Sequence, residues 1–399
     1  IIRKADTVPN DTYYSIQWEL KKIGMEKVWD TCKGSSNITV AVIDTGVDLN
    51  HEDLKDNLWI NSNEICDNGK DDDNNGYIDD CYGWNFANSN NNPQDDDGHG
   101  THVAGVIGAV TNNNKGVAGV NWNVKIMPVK VLGSNGGGSI SDYINGIYYA
   151  VKNGAKVINS SLGFPDSCYA VPEPQSLKDA ISYANNNGVL LVAAAGNYGC
   201  NNDITPFYPA SIKLPNVIAV GSSSKTDTLS YFSNYGVKSV HILAPGEDIY
   251  STYLSNSYES LDGTSMATPF VSGAAALLMA CRNDLNYLQI KEQLLSSGDI
   301  FSNLNDKVIS SGRLNVYNAL TQPLKPVRPT GLSLSQNGNG VTITWQDNSN
   351  IETGFVLERN DGTQWQTIAN LGQNQTSFTD SSLQYNKSYT YRVKAIYGN

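Results

Sequence analysis

From about residue 38 to residue 320, short and mostly apolar runs alternate with longer stretches in which apolar residues return every three to four positions. The runs at 39–43, 126–131, 156–159, 188–192 and 216–220 are rich in β-branched residues and lack a polar alternation, so each reads as a strand covered on both faces. Strands of this kind separated by helices predict an α/β fold, a parallel sheet with helices on both faces. In such sheets the carboxyl ends of the strands face the ligand crevice, and Asp44, the Gly133 region, Ser161 and Asn197 each follow a strand end.

The pattern changes at residues 321–330, where Pro323, Pro326 and Pro329 at spacing three favour an extended linker. Beyond it the segments 341–345, 354–359 and 388–395 alternate with period two between Asn, Gly and Asp turns, and no helical period appears. The expected organisation is one domain over 1–320, a linker over 321–330, and a small all-β sandwich over 331–399.

A net charge of −12 over 399 residues sets the chain against nucleic acid and anionic membrane as partners. The acids gather at 67–80 and 95–97, which suggests cation sites. No uninterrupted apolar run reaches the ~18 residues of a membrane span, so the chain reads as soluble. The N-terminus lacks a signal-peptide pattern and is expected to be that of a mature protein. Six cysteines without a CxxC pair predict disulfides and an oxidising, extracellular compartment. Of the 15 connectivities six cysteines allow, Cys66 with Cys81 is suggested by the loop they bracket; Cys168 with Cys200 and Cys32 with Cys281 follow only by plausibility.

Three segments carry chemistry. Asp44-Thr-Gly places a carboxylate at a strand end, His99-Gly-Thr-His-Val-Ala-Gly places a histidine at a helix mouth, and Gly263-Thr-Ser265-Met-Ala-Thr-Pro places a serine before another helix, with Pro269 expected in its first turn. A serine hydroxyl becomes a nucleophile when a base takes its proton, and a carboxylate holds that base in one tautomer. Asn197, after the run 192–196, has the amide that donates to an oxyanion. A lone Asp-Thr-Gly also occurs in aspartic proteases, but a second copy is missing here. A zinc pair at His99 and His102 lacks further ligands, since His51 and His241 are remote in sequence, so His102 is read as support for His99.

These three motifs, in the order Asp, His, Ser, resemble those of the subtilisin-like serine proteases, in particular the calcium-rich branch that includes thermitase and proteinase K, over about residues 10–320. The resemblance implies a secreted, monomeric endopeptidase matured from a pro-form, cutting polypeptides through an acyl-enzyme on Ser265 with Asp44, His99 and Asn197. Gly136, Gly137 and Gly138, with Ser161, Leu162 and Gly163, match the segments that flank an extended substrate. The side-chain pocket is expected between 161–163 and Ala194, Ala195 and Gly196, which lack charge and suit a large apolar or aromatic residue. Asp262 departs from the Asn many relatives carry there. The C-terminal segment resembles a fibronectin type III module through 329–332, Trp345, 355–359 and 389–395, with Trp345 and Tyr389 read as core. Because the chain stops at Asn399 after the expected sixth strand, the last strand of that sandwich is expected to be absent.

Calcium is expected at two or more sites. Asp71-x-Asp73-x-Asn75-Gly76-Tyr77, with Asp67 and Asp80, follows an EF-hand-like spacing without the glutamate at position twelve, which is Tyr82. The resemblance implies a second site from Asp11, Asp53 and Asn113 side chains and the carbonyls of Val110, Lys115 and Val117. A third, weaker one is considered at Asn85, Asn88, Asn90 and Gln94, where amides stand in place of acids.

Overall fold

The computed structural model describes residues 6–338 and 340–398. The chain separates into two compact units at Thr321/Gln322. The first holds strands β1 (Gly34–Asp44), β2 (Trp84–Asn85), β3 (Asn123–Lys130), β4 (Val157–Ser160), β5 (Leu190–Ala194), β6 (Val217–Ser223), β7 (Ile242–Pro245), β8 (Ile249–Tyr253), β9 (Ser257–Leu261), β10 (Asp299–Ile300) and β11 (Gly312–Arg313). Its helices are α1 (Trp18–Lys22), α2 (Met25–Val28), α3 (His99–Gly108), α4 (Ile140–Lys152), α5 (Gln175–Asn186), α6 (Thr264–Cys281), α7 (Tyr287–Ser296) and α8 (Val316–Thr321).

Nine strands form one sheet in the order β10-β11-β7-β6-β5-β4-β1-β3-β2. Every pairing is parallel except β10 with β11, so the carboxyl ends of β1, β3, β4 and β5 share one edge. Asp44 stands opposite Lys130 there, and Ser160 opposite Ala193. Alternation along the strands decides which helix each residue meets. Ala41, Ile43, Met127, Val129 and Ile158 pack with Tyr143 and Ile147 of α4 and Leu177 and Ile181 of α5. The neighbouring Asn159 faces the opposite side, where Ser272 of α6 donates to its side chain at 2.7 Å. The pattern called for helices on both faces, and the sheet carries them. Local signals agree: the Ser139 side chain caps α4 through the Asp142 N–H, and Asn286 with Gln289 forms a capping box on α7.

Two expectations change. Helix α6 begins at Thr264, so Ser265 lies in its first turn and Pro269 inside the helix. At 18 residues and mean hydropathy 1.4, α6 is also long and apolar enough to cross a membrane by length and composition, although no uninterrupted apolar run reaches that length. Thr264, Thr268, Ser272 and Gly273 interrupt the run yet are buried with most of the helix, while Ser265 is half-buried, because α6 packs along β1, β4, β5, β6 and β7. The six cysteines pair as Cys32–Cys281, Cys66–Cys81 and Cys168–Cys200.

The second unit has β12 (Thr330–Asn337), β13 (Gly340–Gln346), β14 (Gly354–Asn360), β15 (Trp365–Gly372), β16 (Ser377–Asp380) and β17 (Thr390–Ile396). They form two three-stranded antiparallel sheets, β12-β13-β16 and β15-β14-β17. Ile343, Trp345, Phe355 and Leu357 are buried between them. Tyr389 lies outside that cluster, half-buried, with the Arg359 guanidinium 4.9 Å from its ring centre.

Candidate active site

Asp44 ends β1 fully buried, and its Oδ1 accepts the Thr45 N–H and the His99 Nδ1–H, each at 2.7 Å. Gly100 makes this approach possible: a Cβ there would stand 2.1 Å from the Gly46 carbonyl oxygen and 3.1 Å from the Asp44 Cβ. Burial works against a charged His99. The Asp44 carboxylate, with Asp97 and Asp95 beyond it, outweighs that and holds the imidazole above its ordinary pKa. His102, one turn further along α3, moves the other way. It is fully buried, its Nε2 faces the Ile249 and Glu259 carbonyls at 3.0 and 3.2 Å, and burial lowers its pKa to about 4. It therefore stays neutral with the proton on Nε2, and it ties α3 to the β8–β9 hairpin.

Ser265 occupies the first turn of α6, where its hydroxyl donates to the Ser161 carbonyl at 3.1 Å. Pro269 has no N–H to offer the Ser265 carbonyl four residues back. The Ser161 hydroxyl takes that place at 2.8 Å, positioned by the Asn159 amide at 3.0 Å. Asn197 follows β5, and its Oδ1 accepts the Thr264 backbone N–H and hydroxyl, both at 2.8 Å. A backbone N–H can only donate, so the amide's orientation is fixed. Its Nδ2 and the Ser265 backbone nitrogen then lie 3.5 Å from one shared point, the position a Gly263 Cβ would take. Both nitrogens thus lie near one point at the start of α6. Asp262, the unexplained neighbour, accepts the Asp248 backbone N–H at 2.6 Å and so pins the turn between β7 and β8.

His99 opens onto a cleft of about 740 Å³ lined by Gly136, Gly137, Gly138, Ser161, Leu162 and Gly163. Leu132, Ile140, Tyr143 and Phe164 supply apolar wall, and Asp97 and Asp166 supply carboxylates; of these six only Asp97 was singled out from the sequence, within an acid cluster read as a cation site. Ala194, Ala195 and Gly196 are buried and are not among the lining residues. Lys130 was also missed. It is buried and donates to the Thr45 and Leu132 carbonyls at 2.6 and 2.8 Å and to Asp96 at 2.6 Å, joining β1, β3 and the loop before His99. A lysine inside the apolar run 126–131 was the available signal.

In the Asp-rich loop, Asp71 and Asp73 converge with Glu64, their ligand oxygens all within 4.8 Å of one another. Glu64 was absent from the expected set. Its buried Oε2 has no hydrogen-bond partner, as suits a cation ligand. Asn75 closes the loop on Asp73 and Asp80 through its Nδ2, and the Tyr77 N–H bonds to the Asn75 Oδ1. Asp80 is buried beneath, accepting from Tyr149, Asn61 and Asn75, while Asp67 is exposed outside the triple. At the second place, buried Asp11 and Asp53 meet the 112–117 loop. Asp11 accepts the Asn112 N–H, and Asp53 accepts from the Asn113 amide and the Val117 N–H. Neither forms an ion pair among the described residues, and the carbonyls of Val110, Lys115 and Val117 accept no hydrogen bond there. Two buried acids beside three free carbonyls fit a hard cation. At the third place the amide oxygens of Asn85, Asn90 and Gln94 accept the N–H groups of Asn88, Asn92 and Leu49, so local turns use them.

The chain matches the subtilase family over residues 35–318. It is 40% identical over 318 residues to a thermophilic serine proteinase of a Bacillus species (strain AK1), covering 79% of this chain and 70% of that one. It is 38% identical over 313 residues to thermitase of Thermoactinomyces vulgaris, covering 78% and 99%. Among solved structures it resembles a protease from Pseudoalteromonas arctica, with a TM-score of 0.65 and 30% identity over 79% of this chain and 99% of that one.

Proposed function

The chain belongs to the subtilase family and is a serine endopeptidase of that family; from this premise we propose that Asp44, His99, Ser265 and Asn197 carry out peptide hydrolysis in a secreted, calcium-stabilised enzyme. The observation that carries the reading is the 2.7 Å bond between His99 Nδ1 and Asp44 Oδ1, beside a cleft lined by His99 and by Ser161, whose carbonyl accepts the Ser265 hydroxyl. With Nδ1–H held by Asp44, Nε2 is the free base. The Ser265 hydroxyl turns from the Ser161 carbonyl to His99, gives up its proton there and attacks the peptide carbonyl. The oxygen that becomes negative is received by the Asn197 Nδ2 and the Ser265 N–H. His99 then protonates the leaving amine; water, deprotonated by His99, attacks the acyl carbonyl, and His99 returns that proton to the Ser265 oxygen as the acid product leaves.

Exposed Gly136, Gly137 and Gly138 and the 161–163 strand extension leave main-chain groups for an extended peptide, which favours recognition of backbone over sequence. Leu132, Ile140, Tyr143, Leu162 and Phe164 suit large apolar or aromatic side chains. Calcium held by Glu64, Asp71 and Asp73, and by Asp11, Asp53 and Asn113, would supply charge neutralisation and no chemistry. We expect the enzyme to act as a monomer, matured from a pro-form, on unfolded polypeptide. Ser265→Ala tests the centre: casein hydrolysis is expected to fall by at least about 10⁴-fold with the thermal unfolding curve preserved, and retained hydrolysis would overturn the assignment of Ser265.

A further inference from the structure

We propose that Lys130 is a positioning residue for catalysis, its buried ammonium holding the segments that carry Asp44, His99 and the glycine-rich cleft wall in register with one another; this rests on the peptidase reading above. Lys130 ends β3 directly opposite Asp44, the last residue of β1, and is 1% exposed. An ammonium has three N–H donors and no acceptor. Three oxygens take them here, each from a different segment: the Thr45 carbonyl at 2.6 Å, the Asp96 Oδ1 at 2.6 Å and the Leu132 carbonyl at 2.8 Å. A charge buried this deeply is stable only where such partners surround it, so their positions fix one another.

Each partner leads to a reacting or substrate-binding group. Thr45 follows Asp44; its N–H bonds to the Asp44 Oδ1 at 2.7 Å, and its hydroxyl accepts the Gly100 N–H at 2.9 Å. Asp96 stands three residues before His99, in a turn where Asp95 accepts the Gly98 and Thr101 N–H groups and Asp97 accepts the His99 N–H. Leu132 lines the cleft and bridges to Gly138 of the glycine segment.

The backbone adds to this arrangement, since the Asp44 carbonyl accepts the Val131 and Leu132 N–H groups at 2.9 and 3.2 Å. Displacing the ammonium therefore displaces Asp44 against His99, and both against the peptide. The 2.7 Å bond between His99 Nδ1 and Asp44 Oδ1 depends on that alignment, and a misplacement of about 1 Å can cost about a hundredfold in rate. Lysine suits the place better than arginine. Two carbonyls and a carboxylate on separate segments need donors that diverge from one atom, whereas a guanidinium presents a planar fork matched to a single carboxylate.

Asp96→Ala, Lys130→Met and the two together test this, with kcat and KM measured separately on a neutral peptide. The Asp96 side chain is 49% exposed, so its removal leaves the fold in place and releases only the loop before His99. Lys130→Met keeps an unbranched stem and removes all three bonds. We expect kcat to fall roughly tenfold in Asp96→Ala and roughly a hundredfold in Lys130→Met, with KM changed by less than about threefold. The double variant should be no slower than Lys130→Met, because Asp96 acts only through the ammonium. The downfield proton resonance of the Asp44–His99 hydrogen bond should broaden or vanish in all three variants, a reading independent of turnover. A purely structural clasp would lower Tm and leave kcat and that resonance unchanged in the folded protein; this result overturns the proposal, as do losses that multiply in the double variant. If Lys130→Met does not fold, Asp96→Ala decides alone, and an unchanged kcat there overturns it. A native enzyme that cleaves neither the peptide nor casein overturns the peptidase reading instead, and the resonance then still shows whether the clasp aligns the pair.

Discussion

His99 and His102 sit one turn apart on α3, and their surroundings move them in opposite directions. His102 meets two carbonyls and no carboxylate, so burial dominates and keeps it neutral. His99 meets the same kind of burial, but the Asp44 carboxylate 2.7 Å away favours the imidazolium. A base must be neutral to accept the Ser265 proton, so protonation of His99 removes activity as pH falls. Since its pKa is raised, the acid limb of kcat/KM should lie above the ordinary histidine value of about 6.5. A pH–rate profile on a neutral peptide checks this, and a limb well below 6.5 would contradict the Asp44–His99 pairing. The motif placed an Asp, a His and a Ser in order, whereas the opposite fates of the two histidines depend on which carbonyls and carboxylates lie across the fold.

Among elements, α6 shows how a helix can be arranged around its own defect. Pro269 withholds an N–H from the Ser265 carbonyl, and Ser161, from the end of β4, fills the gap through its hydroxyl. The nucleophile's backbone is thereby joined to the substrate-binding wall. Ser161→Ala should cost about 1 kcal/mol in thermal or denaturant unfolding, because it removes the donor from a half-buried carbonyl. Adding Pro269→Ala supplies the missing helical N–H, and the double variant is expected to recover part of that loss. Additive losses would show that the two residues do not share the carbonyl. From the sequence Pro269 reads as a first-turn residue of a helix that follows Ser265, whereas α6 starts at Thr264; the Thr264–Asn197 contacts that begin α6 earlier come from a segment 67 residues away.

Across the whole molecule, ten of the 39 acids lie between residues 64 and 97, and Asp11 and Asp53 are buried together beside the 112–117 loop. Asp11 near the N-terminus, Asp53 after β1 and the 112–117 loop come from three separated parts of the chain, and a shared cation would hold them together. Under that proposal, EDTA should lower Tm and excess calcium restore it, by about 2.7 kcal/mol for each site held at a hundred times its Kd. Asp53→Asn is expected to shrink the calcium-dependent part of the shift. A Tm that ignores both EDTA and calcium would remove calcium from this account.

The sequence alone determined the class of fold, because β-branched runs buried on both faces leave few alternatives to a helix-covered parallel sheet, and five of the nine sheet strands announce themselves that way. It also determined the family, since three short motifs in a fixed order leave little room for coincidence. Only the tertiary structure decided what single positions do. Glu64 joined Asp71 and Asp73 through loop closure, and Lys130 turned from an oddity in an apolar run into a clasp on three segments. Within Asp95-Asp96-Asp97, hydrogen bonds gave three neighbouring acids three different sets of partners. Local spacing sets which residues share an element, but hydrogen-bond partners and burial depend on residues tens to hundreds of positions away, and those set charge, orientation and reach.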